Sequence, residues 1–163
     1  MSGEYRRKPT EFREWVKADG STRFRPEPGR YHLYVSYACP WASRTLMIRS
    51  LRRLEQVVSV SIVDPIWGEN GWKFGDDPSG IPDTVNGCRD LIDVYRKADP
   101  GFVGEETVPI LWDRETSKIV NNESREILRM LDLEFAEFGD RSKNFCPSEL
   151  ARKIDATIDA LYE

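Results

Sequence analysis

The chain has 163 residues, 39% of them hydrophobic, which is enough for one core of ordinary size and so for a single domain with or without an appendage. No stretch reaches the roughly 18 apolar residues of a membrane span, and the opening "MSGEYRRKPTEF" lacks the apolar run of a secretory signal, so no membrane partner is expected and the cytoplasm is the expected compartment. A net charge of -4 without a basic stripe excludes nucleic acid as the main partner, and three cysteines, an odd number, fit a reducing compartment better than a disulfide framework.

Residues 1–29, punctuated by Pro9, Gly20, Pro26, Pro28 and Gly29, predict an extended arm with a short turn, laying Phe12, Trp15 and Val16 on the body without forming a core element. "YHLYVSY" (31–37) alternates Tyr31, Leu33, Val35 and Tyr37 with His32, Tyr34 and Ser36, the period of a strand. "PWASRTLMIRSLRRLE" (40–55) spaces Leu46, Met47, Ile48, Leu51 and Leu54 as a helix with arginines opposite. "VVSVSIVDP" (57–65) is a second strand, closed by Pro65. Residues 66–87, dense in Gly, Pro, Asp and Asn, form a loop whose length points to function.

"CRDLIDVYRKADP" (88–100) reads as a helix, "VPILWD" (108–113) and "SKIVNN" (117–122) as a hairpin, and "ESREILRMLDLEF" (123–135) as a closing helix. "PSELARKIDATIDALYE" (147–163) is amphipathic, with Leu150, Ile154, Ile158 and Leu161 on one stripe. The order β-α-β-α-β-β-α is that of a thioredoxin-like α/β domain, and the last helix reads as the first of a truncated all-α domain. The expected divisions are the arm over 1–29, the thioredoxin-like domain over 30–139, and a linker with that helix over 140–163.

"YACPWASRT" (37–45) places Cys39 at the strand-to-helix junction, where unpaired N–H groups and the positive end of the helix dipole stabilise an anion. The thiolate is the reactive form of cysteine. Ala42 stands where a C-x-x-C pair would have its second thiol, so a mixed disulfide at Cys39 needs an external thiol, in the cytosol most simply glutathione. The alternative is a buried structural cysteine, which is the reading given to Cys88 and Cys146. In "TVPI" (107–110), Pro109 marks an edge, a bulge or a cis bond, and Val108 before it offers backbone N–H and C=O groups to an extended peptide; an ordinary edge-strand proline is the alternative. In "NNES" (121–124) the N–H groups near Ser124 and its hydroxyl suit a carboxylate, while helix capping by Asn122 accounts for the same residues. Glutathione, a short peptide with a thiol and two carboxylates, matches the three motifs taken together. His32, the only histidine, reads as structural or exposed, and no metal constellation is present. Trp41, Trp67 and Trp112 are assigned to packing.

"YACPWASRT", "ENGWKF", "ADPGFVGEETVPILWD" and "IVNNESREILRML" resemble the xi-class glutathione transferases, the glutathionyl-hydroquinone reductases, across about residues 24–163. The resemblance implies a nucleophile at Cys39, a glutathione-contacting Trp72, backbone pairing at Val108, and binding of the γ-glutamyl carboxylate at Glu123 and Ser124. It implies glutathione as co-substrate, glutathionyl-hydroquinone as substrate, no metal, homodimers among full-length members, and an aromatic pocket on the helical domain. Residues 66–87 become the class-specific loop. Two positions depart from the family pattern: Ser43 stands in place of a histidine, and Glu105 and Glu106 precede T-V-P where a basic or apolar pair is commoner. The expected activity is reduction of S-glutathionyl-hydroquinones through a Cys39 mixed disulfide. The alternatives are a glutaredoxin-like or omega-type thiol transferase and a non-catalytic glutathione-binding fragment.

Overall fold

Six consecutive buried residues, Tyr31–Ser36, form β1, the strand around which the rest of the fold is arranged. The structure, a computed structural model, describes residues 10–69 and 71–162; Pro9 of the arm, Asn70 of "ENGW" and Glu163 lie outside the described residues. The elements after β1 are α1 (Pro40–Leu51), β2 (Ser59–Val63), α2 (Leu91–Ala98), β3 (Ile110–Asp113), β4 (Lys118–Asn121) and α3 (Ser124–Arg129). A π-helical turn over Met130–Glu134 continues α3, and α4 spans Ala151–Tyr162. The sheet order is β2-β1-β3-β4, with β1 parallel to β2 and antiparallel to β3, and β3 antiparallel to β4. This is the thioredoxin-like arrangement that the element order predicts.

The alternation in β1 separates two covered faces rather than an inside from an outside. Tyr31 meets Phe135 edge-on at 5.5 Å, on the side where α1 lies against α3. Tyr34, on the opposite face, meets Phe74 at 5.8 Å and Trp112 at 6.3 Å. Phe74 belongs to the long loop, which therefore roofs one face of the sheet. Asp83 organises that roof, accepting the Tyr34 hydroxyl at 2.9 Å and the N–H groups of Val85, Asn86 and Cys88, each at 3.0 Å. Burial works against its charge, but these N–H donors outweigh burial and hold the carboxyl below the usual carboxylate range.

Two sequence expectations are corrected. Helix α1 buries Ala42, Thr45 and Ile48, while Met47 and Leu51 are exposed. The arginines are not all opposite that buried face, because Arg52, just past the helix end, is itself buried against Asp132. The arm is part of the core: Val16 and Phe24 are fully buried and bridge one another. Burying each such side chain is worth about 1.5–3 kcal/mol. The arm also extends the sheet, with Arg13 bridging Asn121 antiparallel and the Glu14 N–H donating to the Val120 carbonyl at 3.0 Å. Helix α4 covers only part of its apolar stripe. Asp155 and Asp159 pair with Arg129 and Arg125 of α3, and Ile154 and Ile158 are half-buried, while Leu150 and Leu161 stay exposed.

No helix among the described residues is long and apolar enough to cross a membrane.

Candidate active site

Cys39 is the N-cap of α1, in extended conformation, with Pro40 as the first helical residue. Pro fits there because that N–H has no helical partner. The approach to the helix is fixed by the buried Ser36, whose carbonyl accepts the Cys39 N–H and whose hydroxyl accepts the Ala38 N–H, both at 3.2 Å. The half-buried Cys39 thiol is directed at the Val108 carbonyl, 3.6 Å away. Two of the predicted site residues thus meet. Ser43, the departure from the family motif, donates its hydroxyl to the Cys39 carbonyl at 3.1 Å and leaves the thiol alone.

The Val108–Pro109 peptide bond is cis, one of the three options that the sequence leaves open. Glu123, not Asn122, caps α3: its carboxylate accepts the Arg125 N–H at 3.2 Å, and the Ser124 hydroxyl lies 3.5 Å from the same oxygen. Asn122 is buried and serves a different purpose. Its side-chain carbonyl accepts the Phe12 N–H at 3.2 Å, and its amide donates to the Tyr95 hydroxyl at 3.2 Å and to Thr107 Oγ1 at 3.4 Å.

Trp72 is half-buried, with its ring 4.9 Å from that of Trp67 and its carbonyl accepting the Leu91 N–H at 2.8 Å. Its N–H donates to Glu106 at 3.3 Å. The same Glu106 carboxylate fills the space beside Gly71, where a Cβ would come within 1.6 Å of Oε1 and where φ is +93°. Only glycine fits this position. Glu106, a departure from the family pattern, therefore fastens the Trp72 loop to the segment that carries Val108. The 105–108 segment joins the thiol, the tryptophan loop and, through Thr107, the Asn122–Ser124 turn. Sequence reasoning missed Ser36, Tyr95 and Glu106 as parts of this arrangement; the acidic departure from the family motif was the one available signal.

Trp41 and Trp67 are exposed rather than core residues, whereas Trp112 is fully buried as expected. Arg44 lies over the Trp41 ring, 4.8 Å from its centroid. A concavity of about 230 Å³, lined in part by Asp64, Trp67, Lys73 and Asp76, does not include Cys39. Among the described residues no cluster of His, Cys, Asp or Glu could hold a metal ion.

The three thiols differ in environment. Burial first, and the nearby Asp83 second, push the Cys88 thiol up to about 11, and Cys146 is only 6% exposed. Iodoacetamide at neutral pH is expected to alkylate Cys39 well before the other two, as peptide mass spectrometry would report. Equal labelling of Cys88 would remove Cys39 from its assigned role.

The sequence profile described as "Glutathione S-transferase, N-terminal domain" matches residues 38–134, a span that holds Cys39, Trp72, Val108, Glu123 and Ser124. The chain belongs to this glutathione S-transferase family. It is 45% identical over 163 residues to the glutathionyl-hydroquinone reductase PcpF of Sphingobium chlorophenolicum, an alignment covering 99% of this chain and 50% of the reductase. A xi-class transferase structure from Natrialba magadii superimposes with a TM-score of 0.90 at 48% identity, over 99% of this chain and 52% of that one. The glutathione-bound structure of YqjG, a glutathione transferase homologue from Escherichia coli K-12, gives 0.86 at 44% identity, over 93% of this chain and 52% of the other. Within the transferase family the likeness is to the xi class, as the sequence resemblance implies. The chain spans about half the length of the curated relatives it matches.

Proposed function

We propose that this transferase chain carries the glutathione half of a glutathionyl-hydroquinone reductase, with Cys39 as nucleophile. The observation that carries the reading is the placing of the Cys39 thiol at the start of α1, 3.6 Å from the Val108 carbonyl. An extended peptide paired with the Val108 backbone would lie along that edge with its cysteine sulfur beside Cys39. The Ser124 hydroxyl and neighbouring N–H groups suit the γ-glutamyl carboxylate, the Glu123 carboxylate suits the adjacent ammonium, and Trp72 covers the peptide. The glutathione unit is taken as residues 30–139, with 1–29 as its arm and 140–163 as linker and first helix of a helical domain.

In the first step the Cys39 thiolate attacks the glutathionyl sulfur. The carbon–sulfur pair passes to the hydroquinone ring carbon, which takes up a proton, and a Cys39–glutathione disulfide forms. A second glutathione then gives its proton to solvent and attacks that disulfide, releasing glutathione disulfide and restoring the thiolate. Splitting one displacement into two exchanges is the advantage of covalent catalysis. Intact-mass analysis after mixing with a glutathionyl-hydroquinone is expected to show one glutathione adduct, on Cys39, which added glutathione removes. Undiminished turnover by Cys39→Ala would defeat the proposal.

Ser124→Ala is expected to weaken glutathione binding by about 1–2 kcal/mol through loss of a charge-assisted hydrogen bond. Calorimetric titration measures this, and an unaltered affinity would reduce the residue to a part of the helix start. A second reading is reduction of small glutathione mixed disulfides, which needs only the thiol and a hold on the glutathione peptide. The thiol and peptide-binding residues lie within the matched family profile, while the relatives carry as much chain again. The 163-residue chain is therefore expected to turn over a small mixed disulfide faster than a glutathionyl-hydroquinone.

A further inference from the structure

We infer that the Tyr95 hydroxyl is a positioning group for the glutathione site, holding the Thr107–Val108 backbone and the Asn122–Ser124 turn in fixed relation. The inference rests on the glutathione-site reading given above. Tyr95 lies on α2, away from the strand-to-helix junction, and is fully buried. Its hydroxyl donates to the Thr107 carbonyl at 2.9 Å and accepts the Thr107 N–H at 3.1 Å and the Asn122 amide at 3.2 Å. One proton and two lone pairs are thereby used, which is the full capacity of a phenol. Thr107 Oγ1, at 3.2 Å, is an alternative partner on the same residue.

Both anchored residues immediately precede proposed ligand-binding positions. Thr107 precedes Val108, and Asn122 precedes Glu123 and Ser124. The hydroxyl grips Thr107 through both its N–H and its carbonyl, so the direction of the chain into Val108 is fixed rather than merely its position. Asn122 is gripped from two sides, since its side-chain carbonyl accepts the Phe12 N–H and its own N–H donates to the Phe12 carbonyl at 3.1 Å. The Phe12 ring stands edge-on to Tyr95 at 5.7 Å and the Phe102 ring lies 4.6 Å away, so the arm and the segment after α2 seal the hydroxyl from water. Burial pushes the phenol pKa up and keeps the proton that Thr107 needs. Without the hydroxyl the ring could still pack, but two segments of the proposed peptide cradle would lose their common tie. The physical expectation is a site that keeps its thiol and loses its hold on the peptide.

The test compares Tyr95→Phe, Asn122→Ala, Phe102→Leu and Ser124→Ala in the 163-residue chain, reading the glutathione Kd by calorimetry and Cys39 alkylation by iodoacetamide. Tyr95→Phe is expected to raise the Kd about tenfold, and Asn122→Ala about threefold, with the Cys39 alkylation rate within twofold of the unaltered chain. Phe102→Leu disturbs the packing of the same ring without touching the hydroxyl, and is expected to lower thermal stability while leaving the Kd unchanged. A Kd unaffected by both Tyr95→Phe and Asn122→Ala, alongside a weakened Ser124→Ala, would overturn the positioning role and leave the glutathione site standing. Equal losses in Tyr95→Phe and Phe102→Leu would also overturn it, by assigning the effect to packing. No glutathione binding by the unaltered chain would overturn the site reading and this inference with it. Should Tyr95→Phe not fold, Asn122→Ala decides alone.

Discussion

Arg52→Ala is expected to destabilise the fold by about 3–5 kcal/mol, the usual cost of removing one member of a buried ion pair. The Arg52 Nε stands 2.7 Å from an Asp132 carboxylate oxygen, and the two side chains are only 5% and 0% exposed. The attraction is coulombic rather than a well-aligned hydrogen bond, since neither that Nε nor the carboxylate oxygens have a partner in hydrogen-bond geometry. Truncating the arginine strands a carboxylate where water cannot reach it. It also frees the carbonyls of Asp132, Asp140 and Lys143, which the same guanidinium ties together. Urea unfolding followed by tryptophan fluorescence would measure the loss. A change under 1 kcal/mol would show that Asp132 finds another partner. The paired replacement Arg52→Met with Asp132→Leu is expected to recover part of the loss, because it removes the stranded charge along with its partner.

Lowering the pH from 6.5 toward 4 is expected to cost about 2 kcal/mol of stability by pH 5 and about 3 by pH 4, through His32 alone. Burial first, and the nearby Arg114 second, bring His32 down to about 4 from its ordinary 6.5, with Arg49 adding to the shift and Asp83 opposing it. The unfolded chain therefore takes up a proton in this window before the folded chain does, and stability falls with falling pH; the slope is at half its height at the ordinary 6.5 and fades about one pH unit above it. The hydrogen bonds suit the neutral ring that burial favours. Ser61 Oγ donates to the Pro82 carbonyl at 2.8 Å and so accepts from His32 Nε2 at 3.0 Å, leaving Nδ1 to accept from Ser59 Oγ at 2.7 Å. Arg114 supplies Ser59 Oγ with a donor at 2.6 Å, which turns the whole chain one way. A proton on Nδ1 would make the Ser59 hydroxyl turn its hydrogen away and accept from two cations at once. His32→Gln should flatten the stability profile between pH 5 and 6.5, above the ordinary range of the carboxylates. A slope unchanged by that substitution would assign the window to other groups.

Legibility in the sequence depended on how far apart the partners lie. The Cys39 junction could be read because strand period, cysteine, proline and helix follow within a dozen residues. The alternation in β1 was visible, but that both its faces are covered was not, because the roof is held by Asp83 gathering three backbone N–H groups, an arrangement with no period. The spacing in α1 suggested Met47 and Leu51 as buried. The structure prefers Ala42, Thr45 and Ile48 with Arg52, a choice made by Asp132 from the turn that continues α3. At "NNES" the short side chain of Asn122 suggested a cap, yet its amide is taken by Tyr95 and its carbonyl by Phe12 of the arm, leaving Glu123 to cap the helix. Tyr95 itself drew no separate reading within the helix expected over 88–100. A hydroxyl buried on purpose shows no pattern until its partners are seen.

The segment that the arm lays along β4 bears on behaviour in a crowded solution. The sheet has two outer edges, and each is already taken: Arg13 and Glu14 sit on β4, while Ile81 exchanges both backbone hydrogen bonds with Ile62 of β2 at 2.9 Å. An open row of N–H and C=O groups invites another chain to add a strand, which is how edge-to-edge polymers begin. Here the first residues described act as a sacrificial neighbour, occupying the place that a foreign strand would seek. A chain shortened to begin beyond Val16 would lose that neighbour together with a fully buried core side chain. The apolar Ile119 and Val120 would then border an unpaired edge, and the fold would meet concentration as a hazard rather than a neutral condition.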